Sequence, residues 1–160
     1  HTNSVYKIIE LKNKYLASCS EDKSIIFYLK DKDKYLKDYH ISTNGPCNCI
    51  IQIKENEICY AERFNNDGNN NKIHFFDINQ RKIKSLISNI SKSWLSPFIM
   101  ISKELLCIFG DNKISIINVN EYKLIKIINV PNSSWIQGAC ILNENILLTG
   151  DNKLSIRMEN

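Results

Sequence analysis

Apolar residues along this chain fall in short alternating runs, each broken by Asn, Asp, Lys or Gly, and the runs recur in a fixed order. The first, "VYKII" (5–9), is followed by a polar turn and by "YLASC" (15–19). A second turn leads to "SIIFYL" (24–29) and then to the more polar "KYLKDYHI" (34–41). The succession restarts with "CNCII" (47–51), "EICYA" (57–61), "KIHFFDI" (72–78) and "KIKSLI" (82–87). A third pass reads "LSPFIMI" (95–101), "LLCIF" (105–109), "KISIINV" (113–119) and "YKLIKIINV" (122–130). A fourth reads "IQGACI" (136–141), "ILLTG" (146–150) and "KLSIRM" (153–158), and no fourth run follows. β-Branched and aromatic residues bounded by turn formers predict strands, here named a to d within each pass. No segment sustains an apolar period of about 3.6 residues with caps, so helices should be nearly absent.

The passes are an internal repeat. "GDNKISII" begins at Gly110 and "GDNKLSIR" at Gly150, 40 residues on, and Trp94 and Trp135 stand 41 apart. Leu16, Ile58, Leu106 and Leu147 occupy equivalent positions, with steps of 42, 48 and 41, and the long step absorbs the insertion "NNDGNNN" at 65–71. Four strands in a unit of about 40–45 residues is the arithmetic of a β-propeller blade. The expectation is one all-β propeller segment over 1–160, built of four-stranded antiparallel blades. About four blades are present, at 1–41, 42–90, 91–131 and 132–160, the last incomplete: a partial propeller. Asp22, Asp111 and Asp151 each open the b–c turn, where a short acceptor side chain bonds nearby backbone and tolerates left-handed geometry. The single glycine of "GDNK" and the strand that follows argue against a phosphate-cradling loop.

The first unit, "HTNSV…LASCSEDKSIIFYL", resembles the WD-repeat pattern, and "FFDI" (75–78) places Phe76-Asp77 where that family has Trp-Asp. Tyr28-Leu29 and Ile117-Asn118 hold the same dipeptide position in units one and three. The resemblance implies a structural hydrogen-bond relay of His1, Ser18, Asp22 and, at the Trp position, Tyr28. Thr43, Ser91 and Asn132 replace the His in the later units, so the full relay is absent there. It further implies a non-catalytic scaffold that binds a protein or peptide through the loop face of the propeller. Rings of this type commonly close with about seven blades, roughly 290 residues. The 160 residues are therefore expected to be part of a longer propeller, or to be completed by another chain, and the arc alone to be marginally stable and prone to associate.

Composition narrows function mainly by exclusion. The hydrophobic fraction of 43% and charged fraction of 24% suit a globular domain with its own core. A net charge of +4, spread without a basic run, argues against nucleic acid as a partner. No stretch is long and apolar enough to predict a transmembrane helix. Six cysteines with no secretory leader pattern in "HTNSVYK" suggest reduced thiols in the cytoplasm or nucleus. Cys47 and Cys49 are too close and too isolated for a four-ligand zinc site, and in a regular strand they would share one face as small buried hydrophobes. His1, His40 and His74 form no local catalytic signature, and strand a, which would line a central channel, lacks converging acids or histidines. The chain is accordingly not expected to be an enzyme or to carry a metal or cofactor. The alternatives are a propeller enzyme with a channel site and a weak nucleic-acid binder. Trp94 and Trp135, each starting strand a, either cover blade seams or present partner-binding aromatics beside Asn3 and Tyr6.

Overall fold

The computed structural model describes residues 1–12, 14–63, 71–91, 95–110, 112–130, 136–143, 146–151 and 156–159. Among these residues every regular element is a strand. The chain divides into two compact units, His1–Lys92 and Ser93–Asn160.

The first unit holds two antiparallel sheets. One is formed by β1 (Val5–Glu10), β2 (Tyr15–Ser20), β3 (Ser24–Asp31) and β4 (Lys34–Ser42), in sequence order. The other is formed by β5 (Cys47–Lys54), β6 (Glu57–Glu62), β7 (Lys72–Asp77) and β8 (Lys82–Ile87), again in order. Their facing sides close over one core in which Ala17, Cys19, Ile25 and Phe27 of the first sheet meet Ile50, Ile58, Tyr60 and Phe76 of the second. Phe27 stacks on Tyr39 at 4.3 Å between centroids, and the Arg81 guanidinium lies over the outer part of that stack, 4.1 Å from the Tyr39 ring. Arg81 also pairs with Asp38 at 3.1 Å. Burial of aromatic area, more than any surface ion pair, is what holds these two sheets together.

The second unit has β9 (Leu95–Met100), β10 (Leu105–Gly110), β11 (Lys113–Asn118) and β12 (Lys123–Asn129) in one antiparallel sheet. β13 (Ile136–Asn143), β14 (Ile146–Asp151) and β15 (Ile156–Glu159) form another. Cys107, Phe109, Ile114, Val130 and Ile136 make its core.

Two irregularities recur at the blade period. Strand a begins with a register shift in all four blades, between Val5 and Lys7, Cys47 and Cys49, Leu95 and Phe98, and Ile136 and Gly138. Strand d carries another opposite Phe27/Tyr28, Phe75/Phe76 and Ile116/Ile117. An extra residue in one strand increases local twist, which is how a narrow blade turns its outer strand away from its inner one. Pro97 falls inside one such stretch, where the ladder can spare a donor. The shift in β5 also corrects the expected facing of the cysteines. Cys47 pairs with Glu62 and Cys49 with Ala61, neighbours on opposite faces of β6, so only Cys47 joins Ile50 in the core cluster.

The dipeptide position closes c–d turns. The Asp77 carboxylate accepts the Gln80 amide at 2.8 Å, and the Asn118 side-chain oxygen accepts the amides of Asn120 and Glu121 at 2.8 and 3.0 Å. Both are side-chain mimics of a backbone turn.

Candidate functional site

The b–c turn of the first blade, the end of β6 and the loops leading into strand a lie at one end of the first unit, and the polar side chains there form two networks. In the first blade, His1 Nδ1 lies 2.9 Å from Asp22 Oδ2 and its Nε2 lies 2.7 Å from Ser18 Oγ. An ionised carboxylate can only accept, so Nδ1 carries a proton and donates it to Asp22. The Thr2 amide donates to Asp22 Oδ2 at 2.8 Å and the Ser24 hydroxyl to Oδ1 at 2.6 Å. Burial works to raise the Asp22 pKa, but donation from Ser24, Thr2 and Ser20 outweighs it and holds the carboxyl below its ordinary value. The imidazole and carboxylate side chains keep only 5% and 8% of their surface exposed. Tyr28 pairs with Leu16 and, with Ser18 and His1, lines an apolar depression of about 300 Å³. Its hydroxyl makes no hydrogen bond among the described residues, so the network consists of His1, Asp22, Ser18 and Ser24 without it.

The second blade has Thr43 at the His position and secures its loop with different groups. Glu62, the last residue of β6, is 1% exposed; its Oε1 accepts the amides of Asn44 and Gly45, and its Oε2 receives His74 Nε2 at 2.6 Å. His74 stacks on Tyr60, its cross-strand partner, at 4.7 Å. Desolvation pushes the Glu62 pKa up, yet the bonds from His74 and Gly45 overcome it and the carboxyl stays below its usual value. Gly45 makes the approach possible: a Cβ there would lie 1.9 Å from the Arg63 carbonyl oxygen. Sequence reasoning passed over Glu62 and Gly45. The available signal was an acid at the end of an otherwise apolar strand, "EICYAE", opposite a strand carrying His74.

On the rim of these networks stand the residues expected to meet a partner. Tyr6 occupies the extra position at the start of β1, remains 37% exposed and donates its hydroxyl to Glu21. Glu21 is held in turn by Arg63, with Nη2 3.1 Å from Oε1, so a residue of the second blade fixes a turn of the first. The Asn3 side chain accepts the Ser4 amide at 2.7 Å and the residue is exposed. Trp94, Trp135 and Asp111 lie outside the described residues. Asp151 ends β14 opposite Ile136, and its side chain lies outside what is described.

Burial pushes the Cys47 thiol up to about 12 and the Cys107 thiol to about 11, leaving them as packing groups and not nucleophiles. The geometry at this end is that of a rigid rim: charged and aromatic tips presented on loops whose backbone is tied down from beneath.

Neither a protein-family model nor a curated protein matches the sequence. Solved structures do resemble the chain. The WD40 β-propeller domain of Doa1 matches with a TM-score of 0.81 at 15% identity, over 99% of this chain and 51% of that one. U3-55K and the RRP9 WD40 repeats each match with a TM-score of 0.77 at 12% identity, over 99% of this chain and 52% and 51% of theirs. At such identities the likeness shows the fold alone: the chain has a β-propeller fold of antiparallel blades like that of these WD40 domains, and it spans about half the length of these structures. No helix among the described residues is long and apolar enough to cross a membrane.

Proposed function

We propose that this propeller segment is a non-catalytic scaffold that binds a protein or peptide partner through the rim formed by Asn3, Tyr6, Glu21 and Arg63. The observation that carries the reading is the Tyr6–Glu21–Arg63 cluster. An exposed aromatic is held in one orientation by an acid, and the acid by an arginine from the next blade. Tyr and Arg contribute disproportionately at protein interfaces because they present large area and directed donors at low entropic cost. Beneath them, the Asp22 and Glu62 networks keep the loops from rearranging, which lowers the cost of binding. On sequence position alone, Trp94 and Trp135 are proposed as partner-binding aromatics of the second unit. Six thiols without a disulfide favour a reducing compartment, cytoplasmic or nuclear.

The test is affinity capture from the source cell with the parent chain and with Tyr6→Ala, Arg63→Ala and, as a control, Lys82→Gln. The reading expects a defined partner that is retained by the control and lost with either rim variant. Capture unchanged by both rim variants would overturn it.

A further inference from the structure

At the opposite end of the first blade, the a–b and c–d turns enclose a second concavity. It has a volume of about 660 Å³ and is lined by Glu10, Leu11, Lys12, Lys14, Lys30 and Lys32. Among the described residues that line it, four are cationic and one is anionic. Elsewhere the chain pairs lysines with acids: Lys54 and Lys84 with Glu57, and Lys123 with Glu121. Among the described residues none of the four lysines here has such a partner. The nearby acids are used differently. Glu10 accepts the Tyr35 hydroxyl at 3.3 Å, Asp31 faces Lys34 across the ladder, and neither Asp31 nor Asp33 lines the concavity.

The arrangement is also locally unfavourable. The Lys30 amide donates to the Lys14 carbonyl at 3.0 Å, which sets two like charges on neighbouring strand ends. Like charges placed opposite each other destabilise a strand pair, and among the described residues neither of these two lysines has a carboxylate in ion-pair contact. A concave patch of one sign concentrates field and draws oppositely charged groups. Lysine ammonium groups are point charges on long flexible stems, so each of the four can reach a separate carboxylate along an extended acidic segment. The site is an open trough between turns, and among the described residues its lining includes no aromatic ring on which a base could stack.

We infer that this trough is a docking site for an acidic peptide segment of a partner protein. Lys12, Lys14, Lys30 and Lys32 engage its Asp and Glu side chains. It lies at the far end of the blade from the Tyr6 rim and stands or falls separately from the function proposed for that rim.

The test titrates the 160-residue chain with a short fluorescein-labelled oligo-glutamate peptide and reads anisotropy at low and at physiological salt. Lys30→Gln combined with Lys32→Gln should weaken binding by about tenfold or more and flatten its salt dependence. Lys82→Gln combined with Lys113→Gln removes the same charge elsewhere and should leave binding unchanged. An equal loss in both double variants, or oligo-glutamate binding no tighter than a neutral peptide, would overturn the site. Tighter, Lys30- and Lys32-dependent binding of an oligothymidine or of anionic vesicles would overturn the assignment to an acidic peptide.

Discussion

Asp22 and Glu62 perform one task with different neighbours, and comparing them shows what the task requires. Each is a carboxylate at the b–c end of its blade that accepts backbone amides from the loop leading into strand a: Thr2 in one case, Asn44 and Gly45 in the other. Each is completed by a histidine, reached from the loop in the first blade and from strand c in the second. What the fold needs is therefore a buried acceptor and an imidazole, not a particular order of residues. Asp22→Ala should cost about 1–2 kcal/mol in chemical denaturation, as for other lost turn and cap bonds. Gly45→Ala should cost about 1–3 kcal/mol, because the new methyl must displace the Arg63 carbonyl. Both carboxyls are depressed in the folded state from ordinary values of 3.8 and 4.5, so the unfolded chain binds protons more readily. Their contribution is full above those values and disappears as pH falls through the lower folded ones. The denaturation midpoint should thus decline on acidification below about 4.5, and less steeply in Glu62→Gln. A midpoint that is flat through that range would contradict the assignment.

At the scale of the strand, the recurrent register shifts decide which side chains meet. The shift at the start of strand a releases Tyr6 from the ladder and sends Cys47 and Cys49 to different faces. The five cysteines Cys19, Cys47, Cys49, Cys59 and Cys107 are buried, and Cys140 is exposed. Burial also raises the Cys19, Cys47, Cys59 and Cys107 thiols, so thiolate is scarce where access is already denied. Thiol titration of the native protein should show one fast-reacting group, lost in Cys140→Ser, with the remainder reacting only in denaturant. Fast reaction of a second thiol would mean that a blade opens and exposes one of the buried cysteines. The outer edge tells a similar story: Arg81→Ala should loosen the Phe27–Tyr39 stack by about 0.5–2 kcal/mol, since it removes both a cation over the ring and the Asp38 pair.

For the whole molecule, the informative surface is the side of the first blade that faces away from the second. Val5 and Ile8 are 44% and 61% exposed there, beside the apolar depression lined by Leu16, Tyr28 and Tyr35. In a propeller such a face packs on another blade, and the chain covers about half of the propellers it resembles. We expect the face to be covered in the working assembly, by further blades or by another chain. The 160-residue chain alone should self-associate with rising concentration in static light scattering, and Ile8→Ser should reduce the effect. A parent chain whose mass is that of a monomer at every concentration would refute this.

Sequence alone carried the information that is local and periodic. Alternation marked the strands, Asn and Asp marked the turns, and the spacing of Leu16, Ile58, Leu106 and Leu147 implied blades, because each of these depends on residues a few positions apart. His1, Ser18 and Asp22 were singled out through the resemblance of the first unit, whose motif sets their offsets within one blade. The tertiary structure decided what depends on pairing. Whether Cys47 and Cys49 share a face turns on one extra residue in the register of β5 against β6. That Glu62 takes in the second blade the part Asp22 takes in the first turns on amides 17 and 18 residues away, brought within reach only when the blade has formed. The lysines of the trough are unremarkable in a lysine-rich chain until two turns place Lys14 against Lys30. Hydrogen-bond satisfaction and charge proximity are properties of distance in space, and alternation along the chain does not encode them.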